Sequence, residues 1–134
     1  MTKISSSYLG DLRILSEHIQ SGEKIKTDAP LDNNGQGAYF SPTDLLASAY
    51  LNCMITIIGI YCEQHEIDLK RCEGEVEKIM ASNPRRIGEL RISLDLTGHN
   101  WDTATRKRIE VAAKNCPVAK SVSGDISIDI NFIY

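Results

Sequence analysis

No Cys-x-x-Cys pair occurs among the four cysteines, and His18, His65 and His99 stand far apart in the chain. Zinc sites are built from closely spaced Cys and His, so no metal centre is expected. A dense basic stripe is also missing. Fifteen Lys and Arg face 18 Asp and Glu, for a net charge of -3 and a pI near 5.6. That balance lacks the electrostatic footprint of a nucleic-acid binder, so phosphate backbones are not expected partners. The opening stretch, MTKISSSYLGDLRIL, meets charges too early to form the apolar core of a signal peptide. A cytoplasmic, reducing setting is therefore expected, in which four cysteines read as free thiols or catalytic groups rather than structural disulfides. There is no internal repeat and no linker long enough to divide the chain. At 134 residues, 42% hydrophobic and 25% charged, it reads as one soluble domain, 1–134, and no cofactor is expected.

What the sequence does have is one long apolar run. From Leu45 to Cys62 no residue is charged. Ser41 can cap a helix here, Pro42 suits its first position, and Asp44 falls in the first turn, where a negative charge complements the helix dipole. Apolar residues lie on every side, interrupted by Ser48, Asn52, Thr56 and Gly59. A helix apolar all round is buried all round. The run has the minimum length of a membrane span, but three polar side chains sit inside it and the rest of the chain patterns as soluble structure, so no membrane is expected. Extended to about Glu66 the helix would be roughly 36 Å long, in a domain whose radius of gyration is roughly 14 Å. One small domain cannot easily surround such a rod, and an obligate homodimer is the expectation.

The other segments read as an α+β layout with mostly antiparallel strands, in the order ββ, long helix, ββ, helix, β. LRISLDL and DISIDINFIY alternate apolar with polar residues, as half-buried strands do. CEGEVEKIM and RIGELRISLDL flank the turn signal Asn83-Pro84 and predict a hairpin. YLGDLRILSEHI and EKIKTDA predict another, joined through Ser21-Gly22. TATRKRIEVAAKNC predicts an amphipathic helix with Ile109, Ala112, Ala113 and Cys116 on one face.

The thiols differ in setting. Cys53 and Cys62, nine apart, lie on opposite faces of the long helix and cannot bridge each other, and Cys62 reads as core. Cys72 reads as a strand residue. Pro117 disfavours helical geometry at Cys116, so one helix should end there and PVAKSV should begin a fresh turn with Cys116 as its cap. Unpaired N–H groups at that cap favour a thiolate, which makes Cys116 the better local candidate for a lowered pKa. Cys53, in mid-helix, would need a cation from elsewhere in the fold.

FSPTDLLASAYLNCMITIIG, with a Cys eleven residues after the Pro, followed by AAKNCPVAKSV, resembles the OsmC/Ohr family of osmotically inducible and organic hydroperoxide resistance proteins. TDAPLDNNGQGAYFSPTDLLA and EKIMASNPRRI resemble an OsmC-like subgroup. The resemblance implies an OsmC-like fold, with curved antiparallel sheets around two helices, one of them the long central one, in an intertwined homodimer. It also implies thiol-dependent reduction of organic hydroperoxides by a small or protein-bound dithiol, with Cys53 at the reactive position and Cys116 at the resolving one. Met54, Ile57 and Ile58 would then form an apolar pocket for the peroxide. Family peroxidases pair the reactive Cys with an Arg that is held by a Glu at the start of the Cys helix. Here Asp44 stands in place of that Glu, or else only serves the helix N-terminus. Arg13 is the first candidate for the cation, and Arg85 and Arg86, at a hairpin turn, are the second. Two classes of function follow: a peroxidase, or a dimeric binding or thiol-sensing module with the same fold and little peroxidase activity.

Overall fold

The computed structural model describes all residues, Met1–Tyr134. The chain divides into two compact units, residues 1–46 and 47–134.

The first unit is a three-stranded antiparallel meander, β1 (Ile4–Gly10), β2 (Arg13–His18) and β3 (Lys24–Asp28), followed by a loop with a single 3-10 turn at Leu31–Asn33. The sequence predicts a two-stranded hairpin here; the structure breaks its first arm in two. Gly10 pairs with Arg13 across the residues Asp11 and Leu12, both of which have positive φ (53° and 60°). Two left-handed residues in a two-residue connection make a tight hairpin turn, normally signalled by Asn-Gly or Asp-Gly. Asp-Leu does not carry that signal. The predicted turn at Ser21-Gly22 is present and closes β2 onto β3, with the Gly22 N–H donating to His18 O at 2.8 Å. In the loop, Gly35 approaches the Ala29 backbone so closely that any side chain would collide with it.

Helix α1 (Pro42–Gln64) begins in the first unit and continues through the second. Within the second unit it is followed by β4 (Glu73–Ala81), β5 (Arg86–Asp95), α2 (Thr103–Lys114), the short α3 (Pro117–Ser121) and β6 (Ser127–Ile133). β4 and β5 form the predicted hairpin through Ser82–Arg85. β6 pairs in parallel with β5, from Glu89 opposite Ser127 to Asp95 opposite Ile133. A parallel partner requires a crossover, and α2 with α3 supplies it.

Alternation along β5 sends Leu90, Ile92 and Leu94 inward, where they join Leu96, Ile109, Ala113, Met54, Ile58 and Cys62 in one buried core. β4 begins against α1 at Gly74, where an added Cβ would meet Leu51 Cδ1 at 2.7 Å and Leu94 Cδ2 at 3.0 Å. The long helix is not buried all round within the chain. Ala47, Tyr50, Leu51, Met54, Ile58 and Cys62 form one buried stripe, while Leu46, Ala49, Asn52, Thr56 and Ile60 are exposed on the other side. The reason is supply: a single three-stranded sheet and its crossover helices cover one side of a helix and no more.

Candidate functional site

Cys53 lies midway along α1, half-buried, beside the buried stripe. Cys116 ends α2 and caps α3, with extended backbone (φ -65°, ψ 155°), and its Sγ accepts from the Ala119 N–H at 3.4 Å. Pro117 sets both features, because it ends one helix and is pre-formed for the first position of the next. The Cys116 side chain is fully buried, and Cys53 packs against the cluster to which it belongs, near enough for the two thiols to act on each other electrostatically. The structure thus brings together the two cysteines singled out in the sequence.

The electrostatics of Cys116 correct the expectation from its cap. Burial pushes its thiol up; the Ala119 N–H works downward, as a cap should, and the neighbouring Cys53 works upward again. Desolvation of a thiolate in an apolar core outweighs the weak contributions of the Ala119 and Val118 N–H groups. Tyr50, one helical turn before Cys53 and 4% exposed, is also near both sulfurs. Its phenol is raised above the ordinary value by burial first and then by the charges of Cys116 and Cys53. Of the three pocket residues expected, Met54 and Ile58 are sealed in the core and cannot line an open pocket, whereas Ile57 is half-buried one turn beyond Cys53. An apolar hollow of about 400 Å³ lies farther along α1, lined by Tyr61, Lys107, Arg108, Val111 and Ala112.

The first unit contains a separate polar cluster. Arg13 stands directly opposite Asp28 in the β2–β3 register and grips it with two bonds, Nε to Oδ1 at 2.6 Å and Nη2 to Oδ2 at 2.9 Å. Nη2 also donates to Gln36 Oε1 at 3.2 Å, and the guanidinium lies 4.7 Å from the centre of the Tyr39 ring. Asp28, 1% exposed, accepts in addition from the Ala38 N–H at 2.9 Å. The Arg13 hydrogen bond is the main reason its carboxyl is held below the usual range, with the Ala38 and Tyr39 N–H groups adding to it. The carboxylate gripping Arg13 is therefore Asp28. Asp44 takes the second of its two expected roles: its Oδ2 accepts from the Ser41 N–H at 2.9 Å while Ser41 Oγ accepts from the Asp44 N–H at 3.1 Å, a reciprocal helix cap. Arg86 donates to Ser82 O at 3.1 Å and Pro84 O at 2.9 Å, within its own turn, and Arg85 is exposed in that turn.

The other titratable groups serve structure. His18 bonds Ser21 Oγ, His65 stacks on Tyr61, and His99 Nε2 accepts from the Lys70 N–H at 2.8 Å while its ring stacks on Trp101. Cys62 is core, with its thiol raised by burial. Cys72 lies one residue before β4 rather than in it, and burial pushes it up to about 11.

Sequence reasoning overlooked Asp28 and Tyr50. The observed β2–β3 register, centred between Gln20 and Ser21, pairs Arg13 with Asp28, whereas counting from Ser21-Gly22 misses that partner by two residues; the spacing of three places Tyr50 on the Cys53 face of the helix.

Comparison with known proteins fits this arrangement. A family model described as OsmC-like protein matches residues 35–131. The chain belongs to the OsmC family. It is 45% identical to a protein of Psychrobacter arcticus assigned, provisionally, to the osmotic-stress and detoxification response; the match covers 98% of this chain and 96% of that one, with a TM-score of 0.92. An organic hydroperoxide resistance protein OsmC from Legionella pneumophila shares the fold at 18% identity and a TM-score of 0.78, covering 100% and 97% of the two chains. The organic hydroperoxide resistance protein OhrB of Bacillus subtilis does so at 16% and 0.70, covering 98% and 97%. Among curated proteins no match was found.

Proposed function

We propose that this OsmC-family protein is a thiol-dependent peroxidase that reduces organic hydroperoxides in oxidative-stress defence, with Cys53 as attacking thiol and Cys116 as resolving thiol. The observation that carries the reading is the packing of half-buried Cys53 against the buried cluster that contains Cys116. The Cys53 thiolate attacks one peroxide oxygen, an S–O bond forms, and the O–O electron pair leaves with the alkoxide, which takes up a proton to become the alcohol. Cys53 is then a sulfenic acid. Cys116 condenses with it, expelling water and forming a disulfide, which a dithiol reductant returns to the starting state. Burial holds Cys116 protonated while Cys53 reacts, so the two thiols do not compete for the peroxide. Half-buried Ile57 and the apolar surroundings of Cys53 suit an organic rather than an inorganic peroxide. The active form is a homodimer, supported by the exposed apolar side of α1 and the exposed Ile4, Tyr8, Leu9 and Ile25 of the first unit.

Arg13 is proposed as the cation that favours the Cys53 thiolate, with Asp28 rather than Asp44 holding it in place. One observation favours the second reading, a binding or thiol-sensing module: the charges that act on Tyr50, on the Cys53 face of α1, are those of Cys116 and Cys53, with no cation among them. Oxidation by cumene hydroperoxide between about pH 6 and pH 9, read by sulfenic-acid trapping and peptide mapping, separates the two. The peroxidase reading expects a Cys53–Cys116 disulfide in the native protein, trapped sulfenic acid without a disulfide in Cys116→Ser, and no reaction in Cys53→Ser. A native protein that forms no sulfenic acid across that range is the binding module instead.

A further inference from the structure

Of the three histidines, only His99 has both ring nitrogens hydrogen-bonded. Its Nδ1 lies 2.7 Å from Leu96 O, and since a carbonyl only accepts, that nitrogen carries the proton. Nε2 is then a bare lone pair in the neutral ring, and it accepts from two consecutive backbone N–H groups, Lys70 at 2.8 Å and Arg71 at 3.3 Å. Stacking on Trp101, with ring centres 4.0 Å apart, fixes the plane in which these bonds are made. One protonation state fits the place. An imidazolium carries a proton on each nitrogen, and its Nε2–H would point at two donors.

The stretch so held joins α1 to β4. Between Ile67, whose N–H donates to Cys62 O, and Glu73, the first residue of β4, the backbone hydrogen bonds are the two made to His99. Cys72 follows Arg71 directly and packs, half-buried, against the core. The charged groups around the ring are Lys70, Arg71 and Asp68 on this stretch, Glu73 on β4, Asp95 at the end of β5, and Asp102 beside Trp101. Each carboxylate is already engaged: Asp68 by Lys70 at 3.7 Å, Glu73 and Asp95 by Arg71 at 2.9 and 3.0 Å, and Asp102 by the Thr105 N–H at 2.7 Å. None of them bonds the imidazole, so a positive ring gains no partner in exchange for the two donors it loses.

We propose that His99 is an acid-sensitive latch: neutral, it holds residues 68–72 against the end of β5, and protonated, it releases them and opens Cys72 to solvent. A glutamine oxygen in the same place would accept from these N–H groups at every pH, whereas histidine makes the hold conditional. The neutral form makes the bonds, so the hold is present at higher pH and is lost as the pH falls. The latch involves neither Cys53 nor Cys116, and it stands or falls apart from the peroxidase reading.

The test compares native protein, His99→Gln and His99→Phe at about pH 7.5 and about pH 5, on either side of the range in which histidine takes up a proton and above that of most carboxylates. Gln cannot be protonated, and Phe keeps a ring beside Trp101 but removes the acceptor. The readout is the rate at which dithiodipyridine, which stays reactive toward thiols in acid, labels Cys72, located by peptide mapping and divided by the rate in urea-unfolded protein at the same pH. Native protection of Cys72 should fall about tenfold or more between the two pH values, the scale of one lost backbone hydrogen bond. His99→Gln should keep its protection at both, and His99→Phe should lack it at both. If native protein stays protected at pH 5, or loses protection in parallel with His99→Gln, the latch is overturned. Trp101, the single tryptophan, reports proton uptake by the stacked ring. A native Trp101 emission that changes with pH while Cys72 protection stays constant overturns it as well. Should His99→Phe fail to fold, the comparison of native protein with His99→Gln decides alone.

Discussion

The two units of this chain solve opposite problems. The second buries its apolar residues: Leu90, Leu94, Leu96, Met54, Ile58 and Ile109 are fully enclosed. The first encloses a carboxylate and a hydroxyl, Asp28 and Thr27, and leaves Ile4, Tyr8, Leu9, Leu12 and Ile25 in the open. In the second unit, removal of apolar surface from water supplies the driving force. In the first, an ion pair, backbone N–H groups on Asp28 and a strand ladder hold the meander and its loop, and the apolar side chains contribute little until something covers them. The difference teaches where each unit is vulnerable: one to lost volume, the other to lost charge and to lost cover.

The sharpest way to test that contrast is to truncate one apolar side chain in each unit. Leu94→Ala should cost about 2–5 kcal/mol, because it removes buried methyls and leaves a cavity against Leu51 and Gly74. Ile25→Ala, at a side chain 51% exposed, should stay within about 0.5 kcal/mol in the isolated chain. Denaturant unfolding at several protein concentrations checks both. A large, concentration-dependent loss for Ile25→Ala would mean that a second copy covers the meander, as the proposed homodimer requires.

A smaller effect, and one confined to the first unit, concerns acid. The Asp28 carboxyl is held below its ordinary 3.8 in the folded chain, chiefly by Arg13. A depressed folded pKa contributes stability that is fully present above the unfolded value and is lost as pH falls through the folded one. The native protein should therefore lose stability below about pH 4 partly through this group. In Arg13→Ala the buried carboxylate has lost its partner, so the variant should be less stable at neutral pH and its midpoint of thermal unfolding should fall less between pH 6 and pH 3. Leu94→Ala should keep the native acid slope. If Arg13→Ala and native protein follow parallel curves against pH, the ion pair does not organise the first unit.

How far these two regions could be read in advance follows from the same physics. The second unit was legible because its signals are local: alternation in LRISLDL, the Asn-Pro turn, the Ser-Pro start of α1 and the Cys-Pro break between α2 and α3 each act over a few residues. The parallel pairing of β6 with β5 was not specified by alternation, which is the same for either direction of pairing. In the first unit the turn at Asp11-Leu12 lacks glycine, so the first arm of the meander looked like one long strand. The partner of Arg13 was hidden for the related reason that register depends on turns: Asp28 faces Arg13 only once the β2–β3 connection has been counted. Asp44 stayed open between two roles because a carboxylate in the first turn of a helix can do two jobs, and the reciprocal bonds with Ser41 that serve the helix cap are visible only in the structure. The Cys116 thiol misled in direction, since a cap is visible in sequence and complete burial is not.

The smallest expected effect separates the thiols within the second unit itself. Cys72 is pushed up to about 11 by burial first and by its neighbour Cys62 second, and Cys62 is raised by burial alone. Alkylation proceeds through the thiolate, and a thiol with a pKa near 11 is ionised to about one part in ten thousand at pH 7. Iodoacetamide should therefore modify Cys72 slowly at neutral pH, at a rate rising about tenfold per pH unit and levelling off only near pH 11, while Cys53, the attacking thiol of the proposed cycle, is modified first. Stability should respond with the opposite sign to that of Asp28. A thiol raised in the folded chain contributes stability that is present below its unfolded value of 9.0 and is lost as pH rises through the folded value, because the unfolded chain gives up the proton first. Cys72→Ser removes that contribution, so its unfolding midpoint should fall less than the native one between pH 8 and pH 10. Because Cys72 lies outside the Cys53–Cys116 pair, the same variant should consume cumene hydroperoxide at the native rate. Mass-spectrometric mapping of alkylated peptides against pH checks the order, and rapid labelling of Cys72 at pH 7 would show that the start of β4 opens to solvent instead of closing over its thiol.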